Sequence, residues 1–77
     1  MIFDRIEWDE HNLDHATRSL TAAEIEQAIW NADRMIPHRE HADRGLFRSV
    51  TDGGKSVLVI VEILHNGVRP ITGWEAW

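Results

Sequence analysis

Residues 53–70 read Gly53-Gly54-Lys55-Ser56-Val57-Leu58-Val59-Ile60-Val61-Glu62-Ile63-Leu64-His65-Asn66-Gly67-Val68-Arg69-Pro70, and the fold turns on them. Val57, Val59, Val61 and Ile63 fall on one side of an extended chain; Leu58, Ile60 and Leu64 fall on the other. A strand apolar on both sides is expected at the centre of a sheet, covered twice. Asp52-Gly53-Gly54 is a turn signal before it. Asn66-Gly67 after it is the dipeptide of a type I′ hairpin, leading into a last strand from Val68 to Trp74. Pro70 has no N–H to give a ladder, so the last strand is an edge or is paired on one side there.

Working outward, Gly45 to Thr51 reads as the strand before the turn. Pro37 discourages helix in the irregular stretch after Arg34. Further back, Thr21-Ala22-Ala23-Glu24 is a capping box that opens a helix. Ile25, Ala28, Ile29 and Ala32 form the inner face of that helix, and Leu20 is placed to staple against Ile25. Asp9 caps a shorter helix with a modest stripe of Leu13, Ala16 and Thr17. The chain begins with alternation: Ile2, Ile6 and Trp8 share one side, Arg5 and Glu7 the other. The expectation is a single α+β domain over residues 1–77, in the order β-α-α-β-β-β. It has a small antiparallel sheet of about four strands and two helices on one face.

Register decides which charges meet. A two-residue Asn66-Gly67 loop pairs Glu62 with Ile71 and leaves Arg69 on the Glu62 face. If the earlier turn is Gly53-Gly54 alone, Arg48 pairs with Val59 and points away from Arg69. If that turn holds three residues, Arg48 pairs with Leu58 and joins Arg69 and Glu62. The sequence leaves both open.

Composition narrows the classes of function. A chain of 77 residues buries only about 60% of its unfolded surface, so a partner or a homodimer is a natural source of stability. There is no cysteine for a disulfide or thiolate metal site, which suits a reducing cytosol. No basic-then-apolar leader and no long apolar run is visible, so a cytoplasmic protein with no membrane association is expected. The net charge of −5 is unlike a protein that holds nucleic acid mainly through phosphates. The charge is uneven, however. Arg34, Arg39, Arg44 and Arg48 cluster against only Glu40 and Asp43, and seven of the eight basic residues are arginine, suited to bidentate phosphate contacts. The plain reading of 34–48 is a solvated loop entering a strand; the other is phosphate contact through Arg39 and Arg44. A DNA reader is disfavoured, because Glu24, Glu26 and Gln27 line the outer face of the second helix.

Five histidines raise the question of metal. His11 and His15 are i, i+4 on a helix, and His38 and His41 form a second pair. No thiolate and no strong ligand motif accompany them, so no metal or cofactor is expected, and His15 is read as hydrogen-bonded between helix and sheet. Trp8 and Trp30 fit a core or its margin. Trp74 and Trp77 lie near the terminus, where an exposed ring can stack on a base or bury against a partner.

The run Ile6-Glu7-Trp8-Asp9-Glu10-His11-Asn12 with His15 resembles the opening of BrnT-type toxins of the RelE/ParE-like superfamily. Thr21 to Ile29 is similar to their second helix, Leu46-Phe47-Arg48 to their Arg-aromatic strand, Val57 to Val61 to their central strand, and Arg69 to Trp74 to their closing strand. Trp74 departs from the pattern, standing where the family has a second arginine. The resemblance implies a metal-independent endoribonuclease of a type II toxin–antitoxin system, which cleaves RNA to block translation and is held inactive by a cognate antitoxin. It implies charge from Arg48 and Arg69, with Glu62, His65 or His41 as base or acid. The alternative is a non-catalytic module on the same fold, binding a protein through an edge strand and the terminal tryptophans.

Overall fold

The computed structural model describes residues 5–76; the expectations for Ile2 and Trp77 lie outside the described residues. The elements are β1 (Arg5–Ile6), α1 (Glu10–Ala16), α2 (Ala22–Asn31), β2 (Ile36–Pro37), β3 (Arg44–Val50), β4 (Ser56–Leu64) and β5 (Gly67–Glu75). They build an α+β unit with one mixed sheet in the order β1-β5-β4-β3-β2. β1 runs parallel to β5, and the remaining pairs are antiparallel. Among the described residues the expected sheet of about four antiparallel strands is thus corrected to five strands with one parallel pair. The extra strand is β2, whose Ile36 and Pro37 face Leu46 and Gly45. A two-residue strand has no periodicity to read, and proline is tolerated there because β2 is the sheet edge.

Both helices start as their sequences require. The Asp9 side chain accepts from the Asn12 N–H while the Asn12 side chain accepts from the Asp9 N–H. Thr21 and Glu24 close the same reciprocal box at α2. Ile25, Ala28 and Ile29 are fully buried, as the spacing predicted, and Leu20 is buried at the N′ position. The stripe expected on α1 is corrected. Leu13 is 42% exposed, while Asn12 and Ala16 are the buried positions. Asn12 takes the inner position because its amide finds backbone partners there, as described below.

The core lies between the helices and one face of the sheet. Ala16, Leu20, Ile25, Ala28 and Ile29 pack with Phe47, Val57, Val59, Val61 and Val68; Ile6, Trp8, Ala32 and Met35 close its margin. Trp8 also donates its indole N–H to Glu26 at 2.7 Å, which ties the β1–α1 connection to α2. Trp30 is half-exposed rather than buried. β4 is central in the sheet but not covered twice: Leu58 and Ile60 are half-buried on a face that neither helix overlies.

The two hairpins resolve the register. Thr51 and Lys55 close the first, through the Thr51 N–H to the Lys55 carbonyl at 2.9 Å, so the turn holds three residues, with Gly54 at φ 89°. Arg48 consequently pairs with Leu58. The second turn is His65-Asn66 rather than Asn66-Gly67, because Leu64 pairs with Gly67. Of the two only Asn66 has positive φ, at 59°, so the turn is not type I′, which needs both residues there. Gly67 is a strand residue instead. A Cβ on it would meet Arg5 Cγ at 2.7 Å and the Arg5 carbonyl at 3.0 Å, so glycine is what lets β1 lie alongside β5.

Two outcomes follow. Phe47→Ala removes a fully buried ring and should cost about 3–5 kcal/mol in urea unfolding. The Glu24 carboxyl is held below its ordinary value of 4.5, first by the Lys55 ammonium at 2.7 Å and then by the Thr21 N–H. A carboxylate favoured by folding adds stability above pH 4.5 that is lost as pH falls through the lower folded value. Glu24→Gln should therefore lower the melting temperature at pH 7 and flatten the acid limb below about pH 4.5; an unchanged limb would refute the assignment.

Candidate functional site

Direct cross-strand partners in an antiparallel sheet point to the same side. Arg44 on β3 faces Glu62 on β4, and Glu62 faces Arg69 on β5. These three therefore form one charged row across the open face, at the end of the sheet nearest the β4–β5 turn. The Arg69 guanidinium lies 2.7 Å from Asp9 and its Nε 4.0 Å from Glu62. Among the described residues no carboxylate lies within ion-pair distance of Arg44.

The other wall comes from α1, and its position follows from a gap in the sheet. Among the described residues β1 pairs with β5 at Gly67 and Val68 only, so the β5 edge beyond them lacks a strand partner there. α1 supplies donors in its place. The buried Asn12 amide donates 3.1 Å bonds to the carbonyls of Pro70 and Glu7, and Nδ1 of His15 lies 3.2 Å from the Ile71 carbonyl. A carbonyl only accepts, so Nδ1 of His15 carries a proton; in the neutral imidazole Nε2 is then the accepting nitrogen. His11 lies one turn earlier, its ring centroid 6.4 Å from that of His15.

Helix and sheet thus enclose an open cavity of about 230 Å³. His11, His15, Arg44, Glu62, Arg69 and Asp43 are among the residues that line it. Its two arginines are matched by the two carboxylates of Asp43 and Glu62. Asp9 stays ionised beside it, its carboxyl held below the usual range by the Asn12 N–H first, with the Arg69 guanidinium also favouring the anion. No group of three or more His, Asp or Glu placed to hold a metal occurs among the described residues.

The structure brings Arg69, Glu62 and Arg44 together and separates the other expected site residues from them. Arg48 shares the open face but sits four residues along β3, against a second concavity lined by Asp33, Arg34 and Ile36. His41 and Arg39 are exposed in the β2–β3 connection. The His41 ring stands 5.1 Å from that of His38, whose Nδ1 accepts the Glu40 and His41 N–H groups, and none of the three lines the cavity. His65 is exposed in the β4–β5 turn, and Trp74 lies towards the far end of β5. The sequence reading placed His15 between helix and sheet but did not join it, or His11, to the arginine row. Their i, i+4 spacing is the sequence signal that puts both rings on one face of α1.

Replacing Asn12 by alanine removes the donors to two backbone carbonyls and one half of a capping box. Asn12→Ala should cost about 2–4 kcal/mol in urea unfolding; a cost under about 0.5 kcal/mol would show that α1 does not depend on this bridge. No protein-family model, curated protein or solved structure matches this chain, so the geometry of the cavity carries the reading of its chemistry.

Proposed function

We propose that this protein is a metal-independent endoribonuclease of the toxin type, which a cognate antitoxin would hold inactive. The observation that carries the reading is the Arg44–Glu62–Arg69 row facing the two α1 histidines across one open cavity. Cleavage by the RNA's own 2′-hydroxyl needs the groups that row and helix provide. A base takes the 2′-proton as the 2′-oxygen bonds to phosphorus, cations stabilise the crowded phosphate, and an acid protonates the 5′-oxygen as its bond to phosphorus breaks. The products are a 2′,3′-cyclic phosphate and a 5′-hydroxyl.

His15 suits the base, because its Nδ1–H is tied to the Ile71 carbonyl and Nε2 is the accepting nitrogen. His11, in its protonated form, suits the acid. Arg44 has no competing carboxylate and takes the phosphate; Arg69, already held by Asp9, supplies a second positive charge. Glu62 lies beside Arg69, 4.0 Å from its Nε, and helps to orient it. Arg48, His41 and Arg39 stand outside this set. The half-buried Leu58 and Ile60 favour a second reading, a non-catalytic module that binds a partner protein on the open face.

RNA cleavage by the metal-stripped chain separates the two readings. Arg44→Ala and His15→Ala should each lower kcat by about 10²–10⁴-fold while both variants keep a cooperative melt. A folded wild-type chain that leaves RNA intact would reject the nuclease and favour the binding module.

A further inference from the structure

The open face carries a second row that the cavity does not use. Arg48, Leu58 and Trp74 are direct partners across β3, β4 and β5, as Arg44, Glu62 and Arg69 are. Leu46, Ile60 and Thr72 lie between the two rows. Trp74 reaches this face because of an irregularity in the ladder. Val61 pairs with Pro70 but Ile60 pairs with Thr72, so Ile71 is an extra residue in β5. Had the ladder continued unbroken, Trp74 would face Val57 on the core side. With the bulge it faces Leu58 and is 39% exposed.

The spacing between the rows is a molecular ruler. Glu62 and Leu58 are four residues apart on β4, which is about 13 Å of extended strand. That span holds about four stacked nucleotides at 3.4 Å each. We infer that the Arg48–Leu58–Trp74 row is a second subsite for single-stranded RNA, in which the Trp74 indole stacks on a base while the phosphate bound for cleavage sits at Arg44 and Arg69. This rests on the nuclease reading for the first row. The charge that favours RNA is local: Arg44 has no carboxylate within ion-pair distance among the described residues, whereas Arg69 is held by Asp9 and Glu62. The exposed Trp74 ring supplies what a flat, sequence-tolerant contact needs, a π-face for a base. A duplex keeps its bases stacked inside and offers the indole none.

The test is binding, kept separate from cleavage. Fluorescence anisotropy would follow a labelled, non-cleavable 2′-O-methyl hexaribonucleotide and the matching dinucleotide, with wild type, Trp74→Ala and Trp74→Phe. The hexamer should bind wild type about tenfold or more tighter than the dinucleotide. That ratio should collapse towards one in Trp74→Ala and recover largely in Trp74→Phe, and a hexamer duplex should compete poorly. Circular dichroism melts would confirm that each variant is folded. Equal affinity for hexamer and dinucleotide, or a ratio unchanged in folded Trp74→Ala, would overturn the subsite and leave the row to a protein partner. Trp74-dependent binding with no cleavage of the unmodified hexamer would reject the nuclease while leaving the RNA path in place.

Discussion

Asn12 ties α1 to the edge of β5, through one side chain with no charge. Its amide donates to the carbonyls of Glu7 and Pro70, and its oxygen accepts from the Asp9 N–H. Those bonds stand in for a strand. β1 ends after two ladder positions, and a buried β5 carbonyl left without a donor would carry a desolvation penalty. By meeting that need, Asn12 brings α1 to the edge of β5 and sets His11 and His15 opposite the arginine row. The helix is only seven residues long, too short to hold itself, so its position depends on this attachment and its cap.

The electrostatics of the cavity follow from the same placement. The carboxylate that caps α1, Asp9, is also the one that holds Arg69. One acid therefore anchors a helix terminus and orients a cation of the site. Arg44 has no such restraint and faces an open cavity, which divides the two arginines into a held one and an available one. The charge at this row is set locally by Arg44, Arg69, Glu62, Asp43 and Asp9, so net charge is a poor guide to what the open face would attract.

Glycine and the bulge set what the open face displays. Gly67 permits the close parallel approach of β1, and the extra residue at Ile71 reverses the side-chain parity of the rest of β5. Beyond it Gly73 faces Val59 in the core and Trp74 turns outward. The same Ile71 carbonyl accepts from His15. A one-residue irregularity thus contributes both to the histidine geometry and to the exposed aromatic.

Much of the fold was legible locally. The Thr21 box, the Ile25–Ala28–Ile29 face, the alternation of β4 and the turns around Asp52 and Asn66 are short-range signals, each enforced by bonding or burial within a few residues. They were enough for an α+β chain with two helices over an antiparallel meander, and for Arg69 and Glu62 on one face. What they could not determine depends on partners far apart in sequence. The parallel pairing of β1 with β5, the two-residue β2, the three-residue first turn and the bulge each depend on how distant backbone groups find donors, which no local period encodes. The union of Arg44, Glu62 and Arg69 with His11 and His15 is of this second kind: the sequence by itself determined the residues and their helical or extended spacing, and only closure of the β5 edge by α1 decided that they share one cavity.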